Sequence, residues 1–588
     1  MKKRIAALVL AGLVPAVAQA WTELGTYYQA ATLQVQLGDI CDSGRFLLTP
    51  GSCAGDAANP DWRVEIQSAL DRWHSATSVF QFTTDGAAGA TTPGDCTATD
   101  PNSSFFLDTV CGDAFGGSTL AVALTSFFPG LVNLHSDVIF NTAFTWGAYD
   151  DAGSNHPGVI DFRRVAVHEF GHVAGLAHPF HELAIMAPVI QDVINMPQPD
   201  DVTGMNGING GSFSRPVDDL NANGSEEILL VRANSLGQVI AEIRDSQTGE
   251  VLYLDSFFEA GFHALDAVLL ADEDANGFRD LAILALRTSD LQPLVRIRNI
   301  GGSENTRKVK FNRFVIPFGT GMISAIAPKF LRDLGDADGD GSTDLAVIGG
   351  SLLGAAGGYV EVRNSDGTQG ERRLFGVNSA ATPVGVKTLA ALGQPARLAI
   401  LMFDWATGAG YVELRNAFGA QQRTRIALHS QATPIDFDVY EDAGDSWIAY
   451  LSERQSNGQT QIELRSMTGQ PGSGVIRLDT RFQPLGITAQ SDQDGDGNVD
   501  FAAVVRRTTD NRTAMLVANT VLTNVRFTVM PDGYDAAGSY FNLGDSDGDG
   551  FGEVAAQLSR LADGLPAVHY ANIAGPQTGT KGKVFFTP

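Results

Sequence analysis

The stretch His168-Glu-Phe-Gly-His172-Val-Ala-Gly175-Leu-Ala-His178 carries the most specific chemical pattern of this 588-residue chain. His168 and His172 are four residues apart, so on a helix both imidazoles project from one face and can bind one zinc ion. Gly175 lets the chain leave the helix through a backbone conformation that other residues resist, and His178 then returns as a third ligand. The spacing therefore predicts a single zinc ion held by His168, His172 and His178.

Glu169 directly follows the first predicted ligand. Three nitrogen ligands leave one zinc position to a water molecule, and Glu169 can take the proton of that water as it attacks a polarised carbonyl. A lone histidine is ordinarily a structural residue, but here three histidines, a glutamate and a glycine would have to fall into register by chance. His181 is a nearby competitor for the third ligand, but its spacing does not match. The residues predict a hydrolase with Glu169 as the general base.

The motif resembles the metzincin signature HExxHxxGxxH, and its surroundings resemble a matrixin catalytic domain over about residues 21–208. The resemblance implies an α+β zinc peptidase. Met186, within Ala184–Pro188, resembles the methionine of the Met-turn, which packs beneath the zinc ligands. The segment Asp200–Ile208 resembles the helix that closes matrixin domains.

A third part of the resemblance concerns the substrate. The residues Asp137–Asn141, together with Phe127–Gly130 and Trp146, resemble the strand that runs along the substrate cleft and pairs with an extended peptide by strand addition. The implied substrate is therefore a protein or peptide. Ile139 stands where matrixins place a histidine for a second, structural zinc, so the resemblance implies only the catalytic zinc.

Beyond residue 217 a different pattern repeats: Asp-x-(Asp/Asn)-x-(Asp/Asn)-Gly-x-x-(Asp/Glu) followed by an apolar run. It occurs five times, with side-chain oxygens at Asp219, Asn221, Asn223 and Glu227; Asp272, Asp274, Asn276 and Asp280; Asp336, Asp338, Asp340 and Asp344; Asp492, Asp494, Asp496 and Asp500; and Asp545, Asp547, Asp549 and Glu553. Two weaker copies, at Gly393–Ile400 and Glu441–Ile448, keep the turn but lose the full acidic set.

A second repeated motif, here called the second echo, lies about 25 residues after each loop. Its first copy is Glu242-Ile-Arg244, and later copies include Glu361-Val-Arg363 and Glu413-Leu-Arg415. Both echoes give seven units of about 54 residues between residue 211 and the C-terminus. Short β-rich units of this size predict a seven-bladed β-propeller, in which a closed ring leaves no sheet edge unpaired. A β-solenoid or a string of sandwiches is the alternative.

Oxygen ligands at alternate positions of a glycine-containing turn suit calcium. An EF-hand needs an acid at the twelfth loop position, and here that position is apolar, as with Leu230 and Val347. The loops instead resemble the calcium loops of FG-GAP repeats in integrin α-chain propellers, over about residues 211–588. The sequence therefore predicts up to five calcium ions, although a single Asp-Gly cluster would be only a solvated hairpin turn.

The composition and the first residues bear on the partners and the location of the protein. With 67 Asp and Glu against 40 Lys and Arg, the net charge of −27 argues against nucleic acid as a partner. The first 20 residues have the pattern of a signal peptide: the basic Lys2, Lys3 and Arg4, the apolar stretch Ile5–Val17 and the cleavage site Ala18-Gln-Ala20. No later stretch is apolar for long enough to span a membrane. We expect a monomer that a bacterium exports and that is then released into the medium, kept in a periplasm or held on the cell surface.

All four cysteines lie in the first fifth of the chain: Cys41, Cys53, Cys96 and Cys111. An even number in an exported protein predicts two disulfides. Proximity favours Cys41 with Cys53 and Cys96 with Cys111, while all three connectivities stay open. A thiolate that ligates a metal is the functional alternative.

The sequence thus predicts a multidomain protein with a signal peptide at 1–20, a metzincin-like α+β domain at 21–206, a linker at 207–216 and an all-β, seven-bladed propeller at 217–588. The predicted function is that of a secreted zinc endopeptidase whose propeller binds substrate, a cell-surface or matrix ligand, or stabilises the enzyme. The alternative is a calcium-dependent propeller adhesin with a low-turnover zinc domain.

Overall fold

A computed structural model describes most of the chain. The described residues are 22–23, 32–36, 61–76, 81–85, 102–127, 133–149, 155–178, 185–187, 194–197, 201, 205, 213–234, 236, 238–272, 277–287, 292–301, 306–312, 314–318, 321–351, 358–367, 373–376, 381–389, 397–404, 409–418, 423–429, 432–442, 445–454, 459–468, 471–490, 499–507, 512–519, 526–530, 534–547, 549–560, 566–572 and 580–586.

The chain divides into two compact units, which are essentially Ala20–Asn209 and Gly210–Pro588. Over the part of the chain that the structure describes, neither unit contains a helix with the length and apolar character needed to cross a membrane.

The first unit is built on a five-stranded sheet. Its strands and the flanking short strands are β1 (Thr22–Glu23), β2 (Thr32–Gln36), β3 (Gln81–Asp85), β4 (Asn102–Leu107), β5 (Thr109–Val110), β6 (Asp113–Ala114), β7 (Ala121–Phe127), β8 (Asn133–Asn141), β9 (Thr145–Gly147), β10 (Val159–Asp161) and β11 (Leu176–Ala177). The sheet order is β3-β2-β4-β8-β7. Its strands run parallel except β7, which is antiparallel to β8 and forms one edge.

Two helices pack on this sheet, α1 (Trp62–Ala76) and α2 (Phe162–Val173). Asp61 precedes α1 and accepts a hydrogen bond from the Arg63 N–H at 3.1 Å, which satisfies a donor of the first turn. Asp161 occupies the N-cap position of α2, but its side chain makes no capping hydrogen bond.

An aromatic core joins both helices to the sheet. The Phe162 ring, at the start of α2, lies 4.4 Å from the Phe140 ring of β8 and 4.7 Å from the Trp62 ring of α1, measured between centroids. The Trp73 indole N–H donates to the Val167 carbonyl at 2.9 Å. Because these side chains are almost fully buried, they fix the position of α2, the helix that carries the zinc motif.

Cys111 is disulfide-bonded. The other three cysteines, Cys41, Cys53 and Cys96, lie outside the described residues, so the proposed pairing stays a prediction.

The described residues of the second unit form seven consecutive antiparallel sheets. The first contains β12 (Phe213–Val217), β13 (Glu227–Ala233), β14 (Val239–Arg244) and β15 (Val251–Phe258). The second contains β16 (Phe262–Leu270), β17 (Asp280–Arg287), β18 (Gln292–Asn299) and β19 (Arg307–Lys310). The third has five strands, β20 (Phe314–Phe318), β21 (Gly321–Asp333), β22 (Asp344–Ser351), β23 (Gly358–Asn364) and β24 (Arg373–Gly376).

The remaining four sheets have four strands each. They are β25 (Ala381–Leu389), β26 (Arg397–Asp404), β27 (Ala409–Asn416) and β28 (Arg423–Ala427); β29 (Ala432–Asp442), β30 (Asp445–Arg454), β31 (Thr460–Ser466) and β32 (Pro471–Arg477); β33 (Phe482–Gln490), β34 (Asp500–Arg507), β35 (Arg512–Asn519) and β36 (Arg526–Val529); and β37 (Tyr534–Gly544), β38 (Glu553–Arg560), β39 (Pro566–Asn572) and β40 (Thr580–Phe585). This succession is consistent with a propeller.

Neighbouring sheets pack face to face. Along β13 the side chains of Ile228 and Leu230 join a core with residues of the seventh sheet, whereas Leu229 and Val231 join a core with residues of the second. Such a strand is buried on both faces, which explains why it reads as a continuous apolar run. The Ser214 N–H of β12 also donates to the Ser539 hydroxyl of β37 at 3.1 Å, so the first and last sheets are neighbours.

The acidic loops and the second echo have fixed places in these sheets. In the four-stranded sheets the acidic loops lie between the first and second strands, and in the five-stranded third sheet the loop lies between β21 and β22. The two weaker copies fall between the first two strands of the fourth and fifth sheets. The second echo lies on β14, β18, β23, β27, β31, β35 and β39.

The predicted linker is too long. Residues Phe213–Pro216 were placed in it, yet they belong to β12 and pair with β13. The sequence Phe-Ser-Arg-Pro lacks the apolar alternation of a strand because its hydrogen bonds with β13 and its contact with β37, rather than a buried apolar face, hold it in place.

Asp266 connects three sheets and is fully buried on β16. It accepts hydrogen bonds from Arg215 at 2.7 Å, from Arg332 at 2.7 Å and from the Leu331 N–H at 3.0 Å. The two guanidinium groups hold the pKa of Asp266 below its usual range against the effect of burial. Asp266 is therefore an ionic link between β12, β16 and β21, which belong to three successive sheets.

We expect Asp266→Asn to lower the free energy of unfolding of the second unit by about 2–3 kcal/mol, because it leaves two partly buried guanidinium groups without a counter-charge. Calorimetric or denaturant-induced unfolding measures this. Asp479→Asn is the control, since Asp479 forms an exposed pair with Arg481 and should change stability by less than about 0.5 kcal/mol. Equal effects of the two substitutions would contradict the role of Asp266.

Candidate metal centres

Helix α2 presents the predicted zinc ligands. Its opposite face is held by the buried side chains of Ala166, Phe170 and Val173, so the helix cannot rotate without losing its core contacts. His168 and His172, one turn apart, project together from the remaining face.

The imidazoles of His168, His172 and His178 converge on one point. Their Nε2 atoms are 3.1 Å apart for His168 and His172, 3.1 Å for His168 and His178, and 3.0 Å for His172 and His178. Nitrogen ligands at tetrahedral positions around one zinc ion are about 3.3 Å apart, so the three atoms fit a single ion.

The opposite ring nitrogens fix the orientation of two of these imidazoles. His168 Nδ1 donates to the Ile185 carbonyl and His172 Nδ1 to the Leu176 carbonyl, each at 2.7 Å. A proton on Nδ1 leaves the Nε2 lone pair free for a metal. Burial lowers the pKa of His168 to about 3 and also lowers the pKa of His172 and His178, so all three rings are neutral, as metal ligands must be.

Gly175 turns the chain after the helix. Its φ angle is 109°, in the left-handed region that favours glycine, and its N–H donates to the His172 carbonyl at 3.0 Å. The turn leads through β11 to His178, and thereby returns the third imidazole to the other two.

Glu169 lies on the same helix and is 5% exposed. The Ala123 N–H of β7 donates to its carboxylate, and Oε2 accepts no hydrogen bond from the described residues. Burial raises the pKa of Glu169 to about 8. One part of the carboxylate is therefore anchored to the edge strand, while Oε2 is available for a water molecule or a substrate.

Met186 packs directly beneath the helix. A Cβ atom added to Gly171 would lie 2.2 Å from the Met186 sulfur and 2.9 Å from the Trp73 ring. Only glycine therefore fits at position 171, although the sequence analysis assigned no role to it. Met186 itself is 1% exposed, at the place that the matrixin resemblance implies.

Asp201 was also missed as an individual residue. Its fully buried carboxylate accepts hydrogen bonds from the Ile185 N–H at 2.9 Å and the Met186 N–H at 3.2 Å. Since the Ile185 carbonyl in turn accepts from His168, Asp201 supports the backbone segment that orients the first zinc ligand.

The expected cleft strand is corrected by the sheet order. Asp137–Asn141 belong to β8, which lies between β4 and β7, so its hydrogen-bonding groups are already used within the sheet. The edge strand next to β8 is β7, and its Ala123 N–H contacts Glu169. Strand addition beside Glu169 therefore requires β7, residues Ala121–Phe127. The sequence could not distinguish the two because both are apolar strands separated by a short connection.

The described acidic loops share one backbone conformation. The first aspartate accepts a hydrogen bond from the N–H of the glycine five residues later, at 2.8 Å in the first sheet, 2.7 Å in the second, 3.1 Å in the third and 2.9 Å in the seventh. These glycines, Gly224, Gly277, Gly341 and Gly550, have φ angles of 91°, 89°, 94° and 88°.

The loops gather carboxylates. Candidate ligand atoms of Asp545, Asp547, Asp549 and Glu553 all lie within 4.8 Å of one another, as do those of Asp336, Asp338 and Asp340. In the first sheet Asp219 and Glu227 are accompanied by Asn221 and Asn223, whose amide nitrogens both donate to Asp245 at 2.6 Å. Oxygen donors of this kind suit a hard divalent cation.

The acid at the ninth position is buried beneath each loop. Glu227, Asp280, Asp344, Asp500 and Glu553 are at most 3% exposed. Burial and the nearby loop carboxylates raise the pKa of Glu227, Asp344 and Glu553 to about 7. A buried carboxylate among like charges is costly unless a cation compensates it.

Some predicted ligands cannot be placed. Five predicted ligands lie outside the described residues: Asp274 and Asn276 of the second sheet, and Asp492, Asp494 and Asp496 of the sixth. The described members of these two loops are Asp272, at the start of the second loop, and Asp280 and Asp500, at the ends of the second and sixth.

Comparison with known proteins supports the assignment of the first unit. The family model for matrixins matches residues 53–210. Matrix metalloproteinase-25 of Mus musculus is 42% identical over 83 residues, which are 14% of this chain and 12% of that protein. Matrix metalloproteinase-25 of Homo sapiens is 36% identical over 121 residues, 19% of this chain and 20% of that protein. The matched stretches thus span only a fifth or less of these relatives.

Solved structures give only a distant match. The β-propeller domain of the Trilobed protease from Pyrococcus furiosus aligns with a TM-score of 0.35 and 6% identity, over 62% of this chain and 96% of that one. The match to the matrixin model at residues 53–210 contains His168, His172 and His178, and it supports a metalloprotease domain in this part of the chain.

Proposed function

We propose that the chain is a secreted zinc endopeptidase in which His168, His172 and His178 hold one zinc ion and Glu169 is the general base. The observation that carries this proposal is the convergence of three neutral imidazole nitrogens, 3.0–3.1 Å apart, beside a buried carboxylate. A bound zinc ion would acidify a water molecule and polarise the carbonyl of the scissile bond.

Glu169 has the properties required of the base. The Ala123 N–H holds its carboxylate in place, and Oε2 is directed to no other donor of the described residues. Burial raises its pKa to about 8, so the carboxyl group can hold a proton at neutral pH and pass it to the leaving nitrogen. A cation close by lowers that pKa, which lets the same group accept the proton first.

The edge strand β7 is the proposed substrate platform. Ala123 directs its N–H away from β8 and toward Glu169, so alternate residues of β7 direct backbone groups to the open edge. An extended polypeptide can add to this edge and bring a peptide bond next to the base. We therefore propose unfolded or extended protein segments as substrates.

We propose that the second unit is a closed seven-bladed propeller. The support is that β12 contacts both β16 and β37, and that Gln247 donates to the Ser546 carbonyl and Tyr570 to the Ser246 carbonyl across the same junction. Closure removes the sheet edges that would otherwise pair with other chains. In this proposal its role is to stabilise the enzyme outside the cell and to present a surface to substrate or matrix.

We further propose that the acidic loops bind calcium, one ion in each of the five. Four carboxylates within reach of one ion in the seventh sheet, and a buried acid under each loop, provide the donor set. Since a cation that binds only the folded loop stabilises it, the calcium ions would be structural.

The first test is Glu169→Gln, which keeps the size of the side chain but removes the base. We expect casein cleavage by the zinc-loaded chain to fall by about 10²–10⁴-fold with zinc content unchanged. Asp113→Asn, an exposed carboxylate of the same unit, is the matched control and should leave cleavage unchanged. A wild-type chain that binds one zinc ion but cuts no peptide bond would instead favour the adhesin alternative.

A second test addresses Asp201. Asp201→Asn retains one acceptor oxygen where the carboxylate uses two, so the Ile185 segment loosens and the zinc affinity should fall by about tenfold. Competition with a zinc chelator measures the affinity, and Asp113→Asn again serves as the control. An unchanged zinc dissociation constant would show that Asp201 does not support the ligand.

Calcium removal tests the second unit. At a calcium concentration 100 times the dissociation constant, each site contributes about 2.7 kcal/mol of stability. Calorimetry of the Glu169→Gln chain, which cannot degrade itself, should therefore show a lower unfolding temperature in EGTA than in calcium, with magnesium a poor substitute. Identical unfolding temperatures in calcium and EGTA would rule out structural calcium.

A further inference from the structure

In each sheet that carries an acidic loop, the strand after the ninth-position strand ends in an asparagine or is directly followed by an aspartate. These strand-end residues are Asp245, Asn299, Asn364, Asn519 and Asn572, and each follows the second sequence echo. The strand register pairs four of them with the ninth-position acid, as for Asp344 with Asn364 and Glu553 with Asn572. Asp245 directly follows Arg244, which pairs with Ile228, the neighbour of Glu227. The strand-end residue therefore lies directly beneath the loop.

In the third and seventh sheets the strand-end amide binds the fifth loop position. Asn364 Nδ2 donates to Asp340 Oδ2 at 2.6 Å, and Asn572 Nδ2 donates to Asp549 Oδ2 at 2.7 Å. The other oxygen of each aspartate accepts a backbone N–H of its own loop, at 2.9 Å for Asp340 and 3.1 Å for Asp549. Both carboxylates are thus held on two sides.

In the first sheet the same hydrogen bond is reversed. The fifth loop position is Asn223, and its Nδ2 donates to Asp245 Oδ2 at 2.6 Å. Because a carboxylate only accepts, the amide nitrogen must face it in either arrangement. Each of the three pairs therefore contains one carboxylate and one amide. In the first sheet the carboxylate belongs to the strand-end residue and the amide to the loop, whereas in the third and seventh sheets the carboxylate belongs to the loop.

An independent feature points to a ligand at this place. Glu227 is fully buried under the first loop, and neither of its oxygens reaches full hydrogen-bond geometry with a donor of the described residues. The Leu220 and Asn221 N–H groups lie near enough to lower its pKa, but burial and the carboxylates of Asp219 and Asp245 raise it more. A buried carboxylate that lacks well-formed hydrogen bonds, beside two others, indicates a place for a cation.

We propose that the strand-end residue is a positioning residue of each cation loop, and that its carboxylate–amide hydrogen bond with the fifth loop position, here called the latch, orients the loop oxygens for the cation. This inference rests on the proposed calcium function of the loops. In the first sheet Asp245 supplies the carboxylate that Asn223 lacks.

The test exchanges the latch of the first sheet in the full-length Glu169→Gln chain. Asp245→Asn breaks the latch, because Asp245 uses Oδ2 for Asn221 and Asn223 and Oδ1 for the Thr248 N–H at 2.6 Å. The double variant Asn223→Asp/Asp245→Asn recreates the arrangement of the third and seventh sheets. Asn416→Asp is the control, since Asn416 ends the third strand of a sheet whose loop carries no acidic set.

The measurement is hydrogen exchange of the loop peptides at increasing free calcium, which gives a half-protection concentration for each loop. We expect Asp245→Asn to raise this concentration about tenfold for the first loop and to leave the seventh unchanged. The double variant should return to within about twofold of the unsubstituted loop, and Asn416→Asp should change neither loop.

An unchanged first loop in Asp245→Asn, or a double variant no better than the single one, would overturn the latch while leaving calcium binding intact. If neither loop of the unsubstituted chain responds to calcium, the calcium proposal fails instead. The latch is then decided in EGTA, where Asp245→Asn must increase exchange of the first loop and the double variant must reverse the increase.

Discussion

The zinc site depends on the two hydrogen bonds that tie His168 and His172 to backbone carbonyls. Both bonds are 2.7 Å long, and each fixes the ring orientation and the tautomer that directs Nε2 to the common point. The acceptors come from two segments after the helix, at Leu176 and Ile185, so the positions of these segments decide whether the ligands meet. Gly171, Met186 and Asp201 hold one of these segments in close contact with the helix.

The acidic loops of the second unit repeat one local arrangement. In each described loop a glycine with positive φ closes a turn around the first aspartate, and an acid from the following strand is buried below. The apolar strands on either side supply the cohesion, because each second strand packs on two neighbouring sheets. Folding thus concentrates negative charge at turns that only a cation can compensate. Much of the net charge of −27 lies in these turns.

Features that repeat or that have fixed spacing could be predicted from the sequence. The spacing of His168, His172 and His178 predicts the ligand convergence, and the repeats predict the number of sheets. The edge strand β7 and the support by Asp201 depend on which segments become neighbours in space, which spacing does not encode. Gly171 is one residue among many glycines until Met186 is placed against it. Asp245 lies outside the loop pattern and gains its role only through strand register.

In the proposed function, one zinc ion on three histidines gives this chain its peptidase activity. This can be measured by titrating zinc into the metal-free chain in the presence of a mixed peptide library and counting new peptide termini by mass spectrometry. Our account predicts that new termini appear in proportion to zinc up to one ion per chain and then no longer increase. New termini before zinc is added, or none at any zinc concentration, would contradict it.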